Sequence, residues 1–112
     1  MTTPTILRGD IWWVSLDPTQ GSEIKKTRPC VVLTHNTINR LRRTVVVVPL
    51  STAAKAHPPI TVLVNCQGGV AVAIVDQIRA VSKNRLRKKI EALPPTMLDE
   101  ICQAVSTILE IR

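Results

Sequence analysis

Short apolar runs alternate with polar turns along most of the chain, and a helical stripe appears only toward the C-terminus. Gly9-Asp10 leads into Ile11-Trp12-Trp13-Val14-Ser15-Leu16, a strand with Trp12, Val14 and Leu16 on one face and Trp13 and Ser15 on the other, so Trp13 is expected to be the exposed tryptophan. Asp17-Pro18-Thr19-Gln20-Gly21 supplies turn chemistry. Pro29-Cys30-Val31-Val32-Leu33 predicts a second strand with proline at its first position. Residues 35–43 form a polar, basic connection with room for one helical turn. Thr44 to Leu50 is a continuous β-branched run, which predicts a strand covered on both faces.

Ile60–Val64 and Val70–Val75 predict two further strands around a tight Gln67-Gly68-Gly69 turn, with Asp76-Gln77 following. Ser82 is placed to cap a short turn over residues 83–86, and Arg87–Leu93 predicts a last strand. Pro94-Pro95 break the chain and Pro95 or Thr96 begins a helix, in which Met97, Leu98, Ile101, Cys102, Val105, Ile108 and Leu109 make one stripe, with Asp99 and Glu100 expected in its first turn, where the dipole favours acids. Many short strands and one helix predict a mainly β fold, a small, strongly bent antiparallel barrel with a C-terminal helix. Residues 1–8 read as a flexible leader and residues 9–112 as one domain, as 112 residues would suggest.

Charge narrows the function. Fifteen Lys and Arg against eight Asp and Glu give a net charge of +7, which attracts polyanions: nucleic acid or an acidic protein. Two tryptophans and no Phe or Tyr exclude a multi-aromatic base-stacking platform, so nucleic acid would be held mainly by charge and hydrogen bonds. Cys30, Cys66 and Cys102 are odd in number and lack CxxC spacing, as for reduced cytosolic thiols. No apolar run approaches the length of a membrane span.

The sequence contains no P-loop, HExxH, paired Cys/His ligand set or GxSxG elbow, and the carboxylates are too scattered to predict a two-metal site. No metal or cofactor is expected. His35 and His57 are far apart in loops, leaving a two-histidine ribonuclease as one reading and solvated histidines as the other. The remaining chemistry lies at strand ends: Ser22 and Glu23, Arg28, Ser51 and Thr52, and Asp76 and Gln77. An arginine fork suits a transferring phosphoryl group, a threonine hydroxyl can donate to a non-bridging oxygen, and a glutamate can take a proton. Taken singly, each residue has an ordinary structural reading too: Arg28 as a surface arginine, Thr52 as an ST-turn, or Glu23 paired with Lys25 or Lys26.

Together these residues resemble a known family. Arg8-Gly9-Asp10-Ile11-Trp12-Trp13-Val14, Asp17-Pro18, Gly21-Ser22-Glu23 and Thr27-Arg28-Pro29-Cys30-Val31-Val32 are similar to the N-terminal half of the MazF/PemK/Kid toxins. Val48-Pro49-Leu50-Ser51-Thr52, Val75-Asp76-Gln77-Ile78-Arg79-Ala80-Val81 and Arg85-Leu86 follow that family's later blocks in order. The resemblance implies an SH3-like barrel of the CcdB/Kid/MazF toxin type, a homodimer, and metal-independent, sequence-specific cleavage of single-stranded RNA. It also implies a small MazE-like antitoxin with an acidic tail. By the same resemblance, Arg28 and Thr52 are the catalytic pair, and Ser22 and Glu23 belong to the loop that contacts RNA and supports the chemistry; Glu23 is the first candidate for the base, with an arginine-only scheme as the alternative. Ser22, Trp13, Lys25, Lys26, Ser51, Asp76 and Gln77 would contact RNA. The arginine that Kid-type members carry two residues before Asp76 is Ile74 here, which favours Arg28 and Thr52 over a mechanism centred on Asp76. Two other readings share the fold: a gyrase poison of the CcdB kind, whose C-terminal tryptophan is missing here, and a silent RNA- or partner-binding module.

Overall fold

The structure, a computed structural model, describes residues 5–16 and 26–111. Residues 1–4, 17–25 and 112 therefore lie outside the description, and with them Ser22, Glu23 and Lys25.

Strands β1 (Asp10–Ser15) and β2 (Thr27–Val32) precede a short helix α1 (Asn36–Leu41) and the long strand β3 (Thr44–Ser51). The hairpin β4 (Thr61–Cys66) and β5 (Gly69–Ile74) runs through a 3-10 turn, Val75–Gln77, into β6 (Arg79–Ser82). A second 3-10 turn, Lys83–Arg85, leads to β7 (Leu86–Ala92) and helix α2 (Pro95–Leu109). The strands pair antiparallel in the order β4-β5-β3-β2-β1-β7, with β6 also on β3. The result is the bent, mainly β sheet with a C-terminal helix that the pattern predicts.

β3 organises the sheet. Along one edge it pairs first with β6 (Val47 opposite Arg79) and then with β5 (Leu50 opposite Ala73), so β3 advances three residues while its partner spends six. The excess is the Val75–Gln77 turn, which carries Asp76 and Gln77 off the ladder. β3 is buried on both faces, as its apolar run predicts. Val45 and Val47 join Trp12, Val14, Leu16, Cys30 and Val32 in one core, while Val48 and Leu50 join Ile11, Val31 and Ile101 in the other. Helix α2 covers the second core with Ile101 and Ala104, flanked by Met97, Leu98, Val105 and Ile108.

Several local expectations are corrected. β2 begins at Thr27, so Pro29 is its third residue. Ile11 shares strand parity with Trp13 and yet is fully buried, because α2 closes over that end of β1. Helix α2 starts at Pro95, which leaves Asp99 and Glu100 beyond its first turn and outside the reach of the N-terminal dipole. Ser82 sits at the cap position of the second 3-10 turn, but its side chain makes no cap hydrogen bond. Leu109 is exposed and Ala104, absent from the stripe, is buried. Near the N-terminus, Leu7 donates its backbone N–H to Asp10 (2.9 Å), and Arg8 reaches the Leu33 carbonyl and Cys102 Sγ (3.0 Å). Among the described residues, no helix is long and apolar enough to cross a membrane.

Candidate functional site

A cleft opens where β2 and β3 part. Their ladder runs from Val32 opposite Val47 to Cys30 opposite Pro49 and stops there. Pro29 and Pro49 flank that point, and neither has an N–H to extend the pairing. Beyond it, β2 continues along β1 (Arg28 opposite Val14, Thr27 opposite Ser15), whereas β3 turns to β5 (Ser51 opposite Val72). The gap is a cleft of about 190 Å³ lined by Trp13, Thr27, Arg28, Pro29, Leu50, Ser51, Thr52, Cys66, Gln67 and Ala71.

Four of the residues singled out in the sequence meet here: Trp13, Arg28, Ser51 and Thr52. Trp13 is half-buried and stands between Pro29 on β2 and Lys88 on β7. Arg28, also half-buried, is the cation lining the described part of the cleft. Ser51 Oγ accepts the Ala53 N–H (3.2 Å), so the ST-turn considered for Thr52 belongs to its neighbour. The exposed Thr52 hydroxyl forms no hydrogen bond among the described residues and can donate into the cleft. Leu50 and Ala71, both buried, give the floor an apolar character.

The other candidates lie elsewhere. Asp76 and Gln77 sit in the 3-10 turn and are not among the lining residues. Lys26 is exposed, with a left-handed backbone (φ +68°) and a carbonyl that accepts the Leu16 N–H. Neither histidine lines the cleft: His35 Nδ1 accepts the Thr37 N–H at the start of α1, and His57 belongs to the loop before β4. The Arg40, Arg42 and Arg43 cluster forms a separate hollow with Lys83 and Asn84 beside the start of β3, whereas the cleft lies at its far end. Three cleft residues escaped the sequence reading: Cys66, Gln67 and Ala71. The Gln67-Gly68-Gly69 turn signal was visible, but nothing local says where a hairpin tip lands.

The thiols near the site stay neutral. Burial pushes the Cys30 thiol up to about 12, with the Arg79 charge offsetting only part of the effect. Burial and then the Glu91 carboxylate also raise Cys66. Neither is a thiolate near neutral pH, so neither is a ready nucleophile. Among the described residues, no group of three His, Cys, Asp or Glu side chains is placed to hold a metal ion. Among the described residues, the cleft offers one guanidinium, a row of hydroxyls and an aromatic face, a set suited to a phosphodiester and an adjacent base.

Comparison with known proteins agrees with that chemistry. A family model described as PemK-like, MazF-like toxin of type II toxin-antitoxin system matches residues 7–109, and the chain belongs to this family. It is 38% identical to Endoribonuclease PemK of Escherichia coli over 91% of this chain and 80% of that protein. It is 35% identical to Endoribonuclease MazF9 of Mycobacterium tuberculosis over 93% of this chain and 96% of that protein. Among solved structures, MazF from Deinococcus radiodurans superimposes with a TM-score of 0.88 at 22% identity, covering 97% of this chain and all of that one. An endoribonuclease in complex with its cognate antitoxin, from a mycobacterial species, superimposes with a TM-score of 0.78 at 22% identity, covering 98% of each chain.

Proposed function

We propose that the chain is the toxin of a toxin–antitoxin pair, an endoribonuclease that cuts single-stranded RNA in the cleft between β2 and β3. The observation that carries this reading is the meeting of Arg28 and Thr52 beside Trp13, at the point where the two strands diverge. Family membership supports it, and the relatives named endoribonucleases weigh against the gyrase-poison reading.

The chemistry follows from the substrate. The ribose 2′-OH attacks the adjacent phosphorus and the 5′-oxygen leaves, giving a 2′,3′-cyclic phosphate and a 5′-OH. The nucleophile belongs to the RNA, so no metal-activated water is required. The protein must align the attack, stabilise the charge of the phosphorane and move two protons. Arg28 pairs the non-bridging oxygens through its fork and protonates the leaving 5′-oxygen, recovering the proton from solvent. The Thr52 hydroxyl donates to a non-bridging oxygen. Glu23, in the segment outside the described residues, takes the 2′ proton, and Ser22 and Lys25 of that segment contact the RNA with Lys26 and Ser51. Trp13 stacks on a base and Lys88 beside it neutralises a phosphate. Asp76 and Gln77 take an outer role on the substrate at most.

The same cationic cleft suits a small MazE-like antitoxin whose acidic tail orders as it binds. The active form is a homodimer in the cytoplasm, where the three cysteines remain free thiols. The test is incubation of the purified chain with a long RNA of defined sequence in EDTA. Discrete fragments with 5′-OH and cyclic-phosphate ends are expected. Intact RNA, or cleavage that returns only with added metal, would overturn the mechanism.

A further inference from the structure

The tip of the β4–β5 hairpin carries an unusual residue choice. Cys66 pairs with Gly69, and the residues between them, Gln67 and Gly68, have φ of +54° and +76°. Two-residue turns with both central φ positive favour Asn, Asp or Gly at the first of those positions. Gln67 holds the left-handed conformation with a longer side chain, which is a strained choice. Its backbone N–H donates to Glu91 Oε2 on β7 (3.2 Å), which ties the tip to the far side of the sheet. The Gln67 side chain is exposed and makes no hydrogen bond among the described residues, so the turn itself gains nothing from the extra length. This tip forms one wall of the cleft that holds Trp13, Arg28 and Thr52.

We infer that Gln67 is a specificity-determining residue whose carboxamide reads the hydrogen-bonding edge of a nucleobase lodged beside Trp13. The inference rests on the endoribonuclease reading above. A carboxamide offers one donor group and one acceptor side by side, the complement of a base edge. The Glu91 carboxylate at the same tip repels phosphate, while Arg28 on β2 attracts it, so the backbone is drawn to the β2 side and the base faces the hairpin. The apolar floor and the single aromatic suit an unstacked base, the usual target of sequence-specific recognition in single-stranded RNA.

Gln67→Asn and Gln67→Gly test this, because both residues fit the turn better than glutamine. Their melting temperatures should equal or exceed that of the wild type. The readouts are the sequence profile of cut ends on a long defined RNA, and kinetics on the cognate oligonucleotide and its single-base variants. Discrimination at one motif position should fall roughly five- to a hundredfold. KM for the cognate sequence should rise more than kcat falls. An unchanged motif and KM in both folded variants overturns the role of Gln67 alone. A loss of kcat with an unchanged motif does the same, since it makes the tip structural. Wild-type protein that leaves RNA intact overturns the cleavage reading and this inference with it.

Discussion

The carboxylate of Asp10, only 2% exposed, lies 3.3 Å from the ammonium of Lys89, pinning the start of β1 to β7. The same group accepts the Leu7 N–H at 2.9 Å and approaches the Trp12 indole N–H at 3.4 Å. Asp10→Ala would leave two donors without an acceptor near the core. It should lower stability by about 2–4 kcal/mol, read as a lower urea midpoint. Asp10→Asn keeps an acceptor and should lose less.

Arg28 is half-exposed and contributes no side chain to either buried core, so its removal should spare the fold. Arg28→Ala should reduce RNA cleavage by about 10²–10³ or more with a melting temperature close to that of the wild type. Arg28→Lys should recover little, because an ammonium cannot pair two oxygens at once. Wild-type cleavage by the alanine variant would remove Arg28 from the mechanism.

Gly9 joins strands that flank β1: its N–H donates to the Val32 carbonyl (2.7 Å) and its carbonyl accepts from Leu93 (2.8 Å). Its φ is +89°, and an added Cβ would lie 3.2 Å from the Leu98 Cδ2 methyl. Gly9→Ala should therefore destabilise by about 1–3 kcal/mol, through backbone strain and a crowded α2 contact. Calorimetry should show a melting temperature lower by roughly 5–15 °C.

Alkaline stability should depend on Cys30. Its folded value of about 12 lies above the ordinary 9.0, so the unfolded chain gives up this proton first as pH rises. The stabilisation is complete below about pH 9 and is lost between about 9 and 12, at up to about 1.4 kcal/mol per pH unit. Urea unfolding of wild type and Cys30→Ala across that window should show a steeper loss for the wild type. Parallel slopes would contradict the assignment.

Binding should weaken with salt. For a substrate whose cut-site 2′-OH is replaced by hydrogen, log affinity should fall by about 0.7 per phosphate contacted for each log unit of salt. Lys88→Ala, beside Trp13, should reduce that slope by about one phosphate. Changes in the Arg40, Arg42 and Arg43 hollow, at the other end of β3, should affect a short RNA much less.

Which parts were readable from sequence follows from how local each signal is. Trp12, Val14 and Leu16 declare a face by their alternation, and the Thr44–Leu50 run declares burial on both faces; both are local, and both hold in the structure. The resemblance motifs named Arg28 and Thr52, and the structure brings the two to one cleft. The arrival of Cys66 and Gln67 on the opposite wall depends on long-range pairing, which no nearby pattern encodes. The start of α2 is legible in the Pro94-Pro95 break; the acids are not first-turn residues because Asp99 already lies one turn beyond Pro95. The basic 35–43 connection is plain as charge, but only the fold shows that its arginines line a hollow away from the cleft, at the other end of β3.

β3 buries valines on both sides, so a slip of one residue would still bury valines. Polarity therefore does little to fix its alignment, and the ends of the run must do so. At one end Thr34 Oγ1 accepts the Val46 N–H (3.1 Å); at the other, the two prolines close the ladder with β2. A slip would carry Thr52 about 3.3 Å along the strand, beyond hydrogen-bond reach of a phosphate held by Arg28. On the proposed mechanism such a molecule would keep its core and lose cleavage, so the anchors that align β3 would set the fraction of folded protein that is active.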